Sequence, residues 1–199
     1  KKSGLYDTIH VSTDSEKYME IAKGYGAQVP FLRSPEIALD SSDPWDAVKE
    51  VLERYKELGQ EFETITLLQP TSPLRRAKDI KNAFSLFREK EANAVISVCE
   101  AEHPPMWYHT LGNNGEMTDF FNDDEGKRRQ DFDTFYRING AIYLVRSSHF
   151  MGDRKLLFKE KVYACIMDRR ASVDIDDKDD FEIAEALMKI KGGELLSHG

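Results

Sequence analysis

Short β-rich runs alternate with helical ones along most of this chain, and that alternation narrows the fold more than any other feature. TIHVS (8–12), VPFL (29–32), ITLLQ (65–69) and AVISV (94–98) read as strands. Between them the apolar residues take helical spacing. Thr13 with Glu16 resembles a capping box, opening a helix that stops at the glycines at 24 and 26. Asp43-Pro44 is a cap followed by proline at the first helical position, with Trp45, Val48, Val51, Leu52 and Tyr55 on one face. Ile80, Ala83, Phe84 and Phe87 mark a third helix. The rhythm predicts an α/β fold with a mainly parallel sheet and helices on both faces. Ligands of such sheets bind beyond the carboxyl ends of the strands. Those ends carry Ser12-Thr13-Asp14, Arg33, Gln69-Pro70-Thr71-Ser72 and Glu100.

The rhythm breaks between His103 and Tyr136, where aromatic residues lack helical spacing and a charged loop, DDEGKRRQ, follows a Gly-Asn-Asn-Gly turn. This reads as an insertion built of hairpins or extended arms. Strands return at 135–145 and 162–167, and a last helix is expected over 179–191 with Phe181, Ala184, Leu187 and Met188 on one face. The length, 199 residues, fits one domain, or one domain with a small appended segment.

The net charge of -8 argues against a general nucleic-acid binder, because phosphate backbones recruit basic faces. No apolar run reaches the length of a membrane span. The two cysteines, Cys99 and Cys165, sit in apolar runs and are expected to be buried thiols, which favours a reducing cytoplasm.

Three groups of residues could carry chemistry. Asp174-Ile175-Asp176 follows the strand VYACIM. In an extended segment both carboxylates project to one side, and two hard oxygens at that spacing can hold one magnesium beside phosphates. Acids also favour helix N-termini, which accounts well for Asp179 and Asp180 and less well for Asp174 and Asp176. Gln69 to Arg75 forms a polar turn between a buried strand and a helix; it offers donors to a phosphate or sugar, or simply a rigid cap. Arg137 opens an apolar strand and reads equally as a carboxylate or phosphate ligand or as surface charge, while Lys127 and Arg128 read as surface charge. No histidine metal centre and no nucleophilic triad spacing stands out.

In order, VSTD (11–14), LLQPTSPLR (67–75), RINGAIY (137–143) and SVDIDDKDDFEIAE (172–185) resemble the successive motifs of the acylneuraminate cytidylyltransferases, the CMP-sialic acid synthetases and their relatives acting on other nonulosonic acids. The resemblance spans almost the whole chain. It implies a Rossmann-like nucleotidyltransferase fold of three layers, with the segment 103–136 serving as a domain-swapping dimerisation insertion. It implies CTP and a nonulosonic acid as substrates, Mg2+ on Asp174 and Asp176, and a homodimer with shared sites. Gln69, Arg137 and Tyr143 would line the sugar site. Arg129 would reach the sugar from the partner subunit, Phe158 would lie under the acyl group as half of an aromatic pair, and Arg33 would stand near the nucleotide. A lysine that some relatives send from the partner falls on Trp107, which leaves N-acetylneuraminic, legionaminic and pseudaminic acids open as acceptors. A serine used near the nucleotide aligns with Pro44. An opening strand and a nucleotide loop of the A-R-x-G-S-K-G type would precede Lys1. Two other readings stay open: transfer to another sugar acid such as KDO, and a non-catalytic nucleotide-sugar binding protein.

Overall fold

Helix α2 (Pro44–Glu57) begins as its sequence dictates: the Asp43 side chain accepts from the Trp45 N–H at 2.9 Å, and Pro44, which needs no partner for a missing N–H, takes the first turn. The computed structural model describes residues 1–39, 42–117, 132–152 and 158–194. Its other helices are α1 (Glu16–Gly24), α3 (Ala77–Glu89), α4 (Ser147–Phe150) and α5 (Lys178–Glu194), and its strands are β1 (Thr64–Leu67), β2 (Ala94–Glu100), β3 (Tyr136–Arg146) and β4 (Val162–Ile166).

The strands hydrogen-bond in the order β1-β3-β2-β4. β1 and β3 are antiparallel, with Thr64 opposite Arg146 and Leu67 opposite Tyr143. β3 also opposes β2, since Arg146 N–H bonds the Asn93 carbonyl at one end and Ala101 N–H bonds the Phe135 carbonyl at the other. β4 runs with β2: Ala94 N–H reaches the Lys161 carbonyl and Met167 N–H the Val98 carbonyl. So β1, β2 and β4 point one way, as the βα rhythm predicts, and β3 alone runs against them.

Two expectations change near the N-terminus. In place of two strands, the run at 8–12 makes one parallel bridge, from His10 to Gln28 just before the second run, and 29–32 joins no ladder. His10 and Phe31, one from each run, instead join an aromatic cluster with Tyr55 and Phe62, with the Arg54 guanidinium 4.1 Å from the Phe31 ring centre. The cap of α1 is Ser15, whose hydroxyl accepts from Tyr18 N–H; Thr13 lies two residues too early, is buried, and accepts from Ser15 N–H.

The chain forms two compact units, Lys1–Leu67 with Arg76–Val95 and Tyr143–Tyr163, and Leu68–Arg75 with Ile96–Ile142 and Ala164–Gly199. In the first, Ala94, Val145 and Phe150 form a core against which Trp45, Val48, Leu52, Ile65 and Val162 pack. Burying Phe150 fully is worth about 1.5–3 kcal/mol. In the second, Cys99 and Cys165 are buried free thiols, as expected. On α5 only part of the expected face is covered: Ala184 is buried, but Phe181 and Met188 are exposed. Among the described residues no helix is long and apolar enough to cross a membrane.

Candidate active site

The second unit gathers the turn after β1, the start of β3 and the acidic segment before α5. Its centre is Gly140, whose φ of +71° is a left-handed conformation that glycine takes without steric cost. A Cβ there would stand 2.5 Å from Gln69 Oε1 and 3.3 Å from Asp174 Oδ2. The missing side chain is therefore what lets the carboxamide and the carboxylate close over the backbone of β3.

The backbone that carries each of these side chains is held from behind. Arg75 Nη1 donates to the Ala141 carbonyl at 2.6 Å and to the Gln69 carbonyl at 3.3 Å, so this arginine braces the turn against β3. Ile175 N–H donates to the Thr71 carbonyl at 2.9 Å, fixing the residue after Asp174 to the same turn. Asp174 is half-buried, and its Oδ1 is shielded with no hydrogen-bond partner among the described residues. A shielded, unpaired carboxylate oxygen is costly unless something else engages it, and it suits a hard cation. Asp176 is exposed at the entry to α5. Among the described residues no three His, Cys, Asp or Glu side chains gather at metal-ligand distance. Asp174 and Asp176 would be the oxygen donors that this segment offers to a hard cation such as Mg2+.

Two others of the acidic run, Asp177 and Asp180, serve the helix start. Asp177 caps α5: its Oδ1 accepts from Asp180 N–H at 3.0 Å, while Asp180 Oδ2 accepts from Asp177 N–H at 3.3 Å and Asp176 N–H at 3.1 Å. That reciprocal box confirms the helix-start reading for Asp180.

Arg137 is exposed and places Nη2 3.4 Å from the Ser172 carbonyl, two residues before Asp174. Trp107 is half exposed on a 3-10 turn (Pro105–Trp107) and packs against His103 and Phe132. Arg129 lies outside the described residues. Beside Arg137, Glu102 is ion-paired with Arg169, which holds its carboxyl below the usual carboxylate range.

The first unit holds the other expected site residues. Tyr143 meets Trp45 edge to face at 5.8 Å between ring centres, and Phe158 lies 5.8 Å from the same indole. Phe158 is 41% exposed, so one part of this aromatic group remains open to solvent. Sequence reasoning assigned Trp45 only to a helix face; its place between Tyr143 and Phe158 was hidden because the three lie on separate elements. Arg33 donates its backbone N–H to the Thr13 carbonyl at 2.8 Å, and its guanidinium lies 3.9 Å from Asp14. That joins the expected nucleotide residue to the VSTD segment.

The chain is similar to named proteins along nearly its whole length. It is 37% identical over 182 residues to an N-acylneuraminate cytidylyltransferase of Streptococcus agalactiae serotype V, a match covering 90% of this chain and 43% of that protein. The chain therefore spans less than half the length of that relative. It is 30% identical over 192 residues to a CMP-N,N'-diacetyllegionaminic acid synthase of Legionella pneumophila, covering 95% of this chain and 81% of that one. The solved structure of a CMP:2-keto-3-deoxy-manno-octonic acid synthetase complexed with CTP shares the fold, with a TM-score of 0.64 over 94% of this chain and 83% of that one, at 12% identity. A family model described as Cytidylyltransferase matches residues 1–195. With that match covering the two ends of the motif series that close over Gly140, the chain belongs to the cytidylyltransferase family.

Proposed function

We propose that this protein transfers CMP from CTP to the anomeric hydroxyl of a nonulosonic acid, N-acetylneuraminic acid or a legionaminic or pseudaminic relative, and releases pyrophosphate. The observation that carries the reading is the approach of Gln69 and Asp174 over Gly140, with Asp174 Oδ1 shielded and unpaired. The family membership and the names of the relatives support the same chemistry.

In this reaction the anomeric oxygen bonds to the α-phosphorus as the bond to the β-phosphate oxygen breaks. Alignment and charge neutralisation dominate such transfers. Asp174 and Asp176 would hold Mg2+, which supplies charge neutralisation at the phosphates when bound. Gln69 orients the sugar, and Arg75 braces the backbone from which it projects through the Gln69 main-chain carbonyl. Arg137 and Arg129 engage the acceptor's carboxylate as charged donors. Tyr143, Phe158 and Trp107 contact the body and acyl groups of the sugar, and Arg33 lies at the nucleotide. We further propose a homodimer that shares its sites. Trp107, Tyr108, Leu111 and Met117 support it, as exposed apolar side chains in the described part of the insertion. Two free buried thiols favour a cytoplasmic setting.

The test is direct. The protein is incubated with CTP, Mg2+ and, separately, N-acetylneuraminic, legionaminic, pseudaminic and KDO acceptors. Pyrophosphate release is followed, and the CMP-sugar is identified by mass. Turnover of at least one nine-carbon acid, above KDO, is expected. Turnover of KDO alone, or CTP binding with no product from any acceptor, refutes the reading.

A further inference from the structure

Behind the site lies a polar side chain that no solvent or substrate can reach. Asn139 is 1% exposed, and Ser97 and Ser172 are fully buried beside it. The Asn139 Oδ1 accepts from Ser97 Oγ at 2.6 Å and from Ala141 N–H at 3.2 Å. Its Nδ2 donates to Ser172 Oγ at 2.8 Å and lies 3.6 Å from Met167 Sδ. Ser172 Oγ in turn donates to the Asp168 carbonyl at 2.8 Å, and Ser97 Oγ accepts from Ile142 N–H at 2.7 Å. The orientation of the carboxamide follows from its partners: turned over, its NH2 would face the Ala141 N–H, two donors in conflict.

We propose that Asn139, acting through Ser97 and Ser172, is a positioning residue that sets where Gln69 and Asp174 stand, and so aligns the phosphate chemistry without touching substrate. This rests on the cytidylyl-transfer reading above. The bond from Ala141 N–H back to Oδ1 is a side-chain turn of i to i+2 type, which bends β3 at Gly140 into the left-handed conformation that Gln69 and Asp174 close over. The bond to Ser172 fixes a residue two places before Asp174, where the Arg137 guanidinium also attaches. The bonds to Ser97 anchor both to β2, a strand whose Val95, Ser97 and Cys99 are almost wholly buried. An apolar side chain at 139 would fill the volume and still lose all three restraints. Polar partners standing behind a metal-ligating group typically govern affinity or activity by roughly 10–100-fold.

The test uses Ser172→Ala and Asn139→Asp in the intact protein. The first removes one oxygen and little volume; the second keeps the shape and removes the donor to Ser172. Three readouts are taken below the melting temperature of every variant: kcat against the Michaelis constant for CTP, Mn2+ affinity in the presence of CTP by water-proton relaxation, and hydrogen exchange of the 168–177 segment. A positioning role predicts that kcat falls and Mn2+ binding weakens by roughly tenfold or more, while the Michaelis constant for CTP changes by less than about threefold. It also predicts faster exchange at 168–177, with exchange in α2 unchanged. If Asn139→Asp fails to fold, Ser172→Ala alone decides. Asp174→Asn is measured alongside. A severe loss in Asp174→Asn with parental kcat and Mn2+ affinity in Ser172→Ala overturns this proposal and leaves the metal reading standing. Parental Mn2+ binding and activity in Asp174→Asn overturns the metal reading, and this proposal with it.

Discussion

Replacing Gly140 with alanine separates backbone strain from site geometry. Its φ of +71° makes any L-residue pay about 1–2 kcal/mol. For a chain of this size each kcal/mol moves the melting temperature by roughly 2–4 °C, so the strain alone predicts a loss of roughly 2–8 °C. The contacts add a second, local effect. At 2.5 Å from Gln69 Oε1 the new methyl makes a contact that real Cβ atoms do not show, so the carboxamide must swing away; at 3.3 Å from Asp174 Oδ2 a shift of a few tenths of an ångström suffices. Displacements of about 1 Å at a reacting site cost up to roughly a hundredfold. Gly140→Ala is therefore expected to lower kcat by tenfold or more and to raise the acceptor's Michaelis constant more than that of CTP. Gly59 supplies the control: its φ is +76°, and a Cβ there meets nothing within 4 Å. Gly59→Ala should cost a similar few degrees and leave kinetics unchanged. Steady-state kinetics at a temperature where both variants are fully folded, set beside calorimetric melting curves, decide the matter. Parental kinetics in Gly140→Ala would refute the claim that Gln69 and Asp174 act from their places over that residue.

Three further outcomes are expected. Asp174→Asn or Asp176→Asn should lower turnover by roughly a hundredfold, about 2.7 kcal/mol of barrier, while Asp180→Asn costs stability through the lost cap and little activity; equal small effects at all three would sink the metal assignment. Trp107→Lys should change the ranking of nonulosonic acid acceptors more than the Michaelis constant for CTP, measured with the acceptor panel; an unchanged ranking places the indole away from the sugar. His10 sets a pH dependence: burial lowers its pKa, Arg54 adds to that, and a backbone bond to Gln28 and the charge of Glu50 oppose it. Because the folded pKa lies below the unfolded value of about 6.5, this contribution is complete above pH 6.5 and lost as pH falls toward the folded pKa. Melting temperature should thus fall on acidification below pH 6.5, and His10→Gln should flatten that part of the profile.

Elements that carry their own boundary chemistry were legible in the sequence. Asp43-Pro44 starts α2, and Ala83, Phe84 and Phe87 are the buried face of α3 as their spacing demands. Strand direction was not legible, because a two-residue period is the same read either way along RINGAIYLV; only pairing with β1 and β2 turns β3 against its neighbours. Nor does a β-rich run make a strand without a ladder to join: 8–12 has a single bridge, His10 to Gln28, and 29–32 has none. The α5 pattern marked an apolar face but not what covers it. In the site, Gln69 and Asp174 were named from their motifs, whereas the reason for Gly140 between Asn139 and Ala141 needed the third dimension. The glycine looks like a strand interruption until two side chains 34 and 71 positions away are seen to close over it.

The acidic run from Asp174 to Asp180 shows how one stretch of like charges serves two purposes without conflict. Five carboxylates within seven residues would repel one another if all pointed to one place. The backbone divides them. Ile175 bonds to Thr71 and draws the chain toward the turn after β1, leaving Asp174 half-buried over Gly140. Two residues later Asp177 turns the chain into α5, and its exchange of bonds with Asp180 spends both side chains on the first N–H groups of the helix, where negative charge is favourable. Asp176 stands between, its N–H held by Asp180 and its carboxylate in the exposed stretch. The helix start thus orients the second candidate ligand as the Asn139 network orients the first. Asp174 and Asp176 keep carboxylates outside that cap; on the cytidylyl-transfer reading they would face a triphosphate, and a cation would be needed between them because anion facing anion is otherwise repulsive. In an acidic protein of net charge -8, a cation held there is what would let an acidic segment serve a polyanionic substrate.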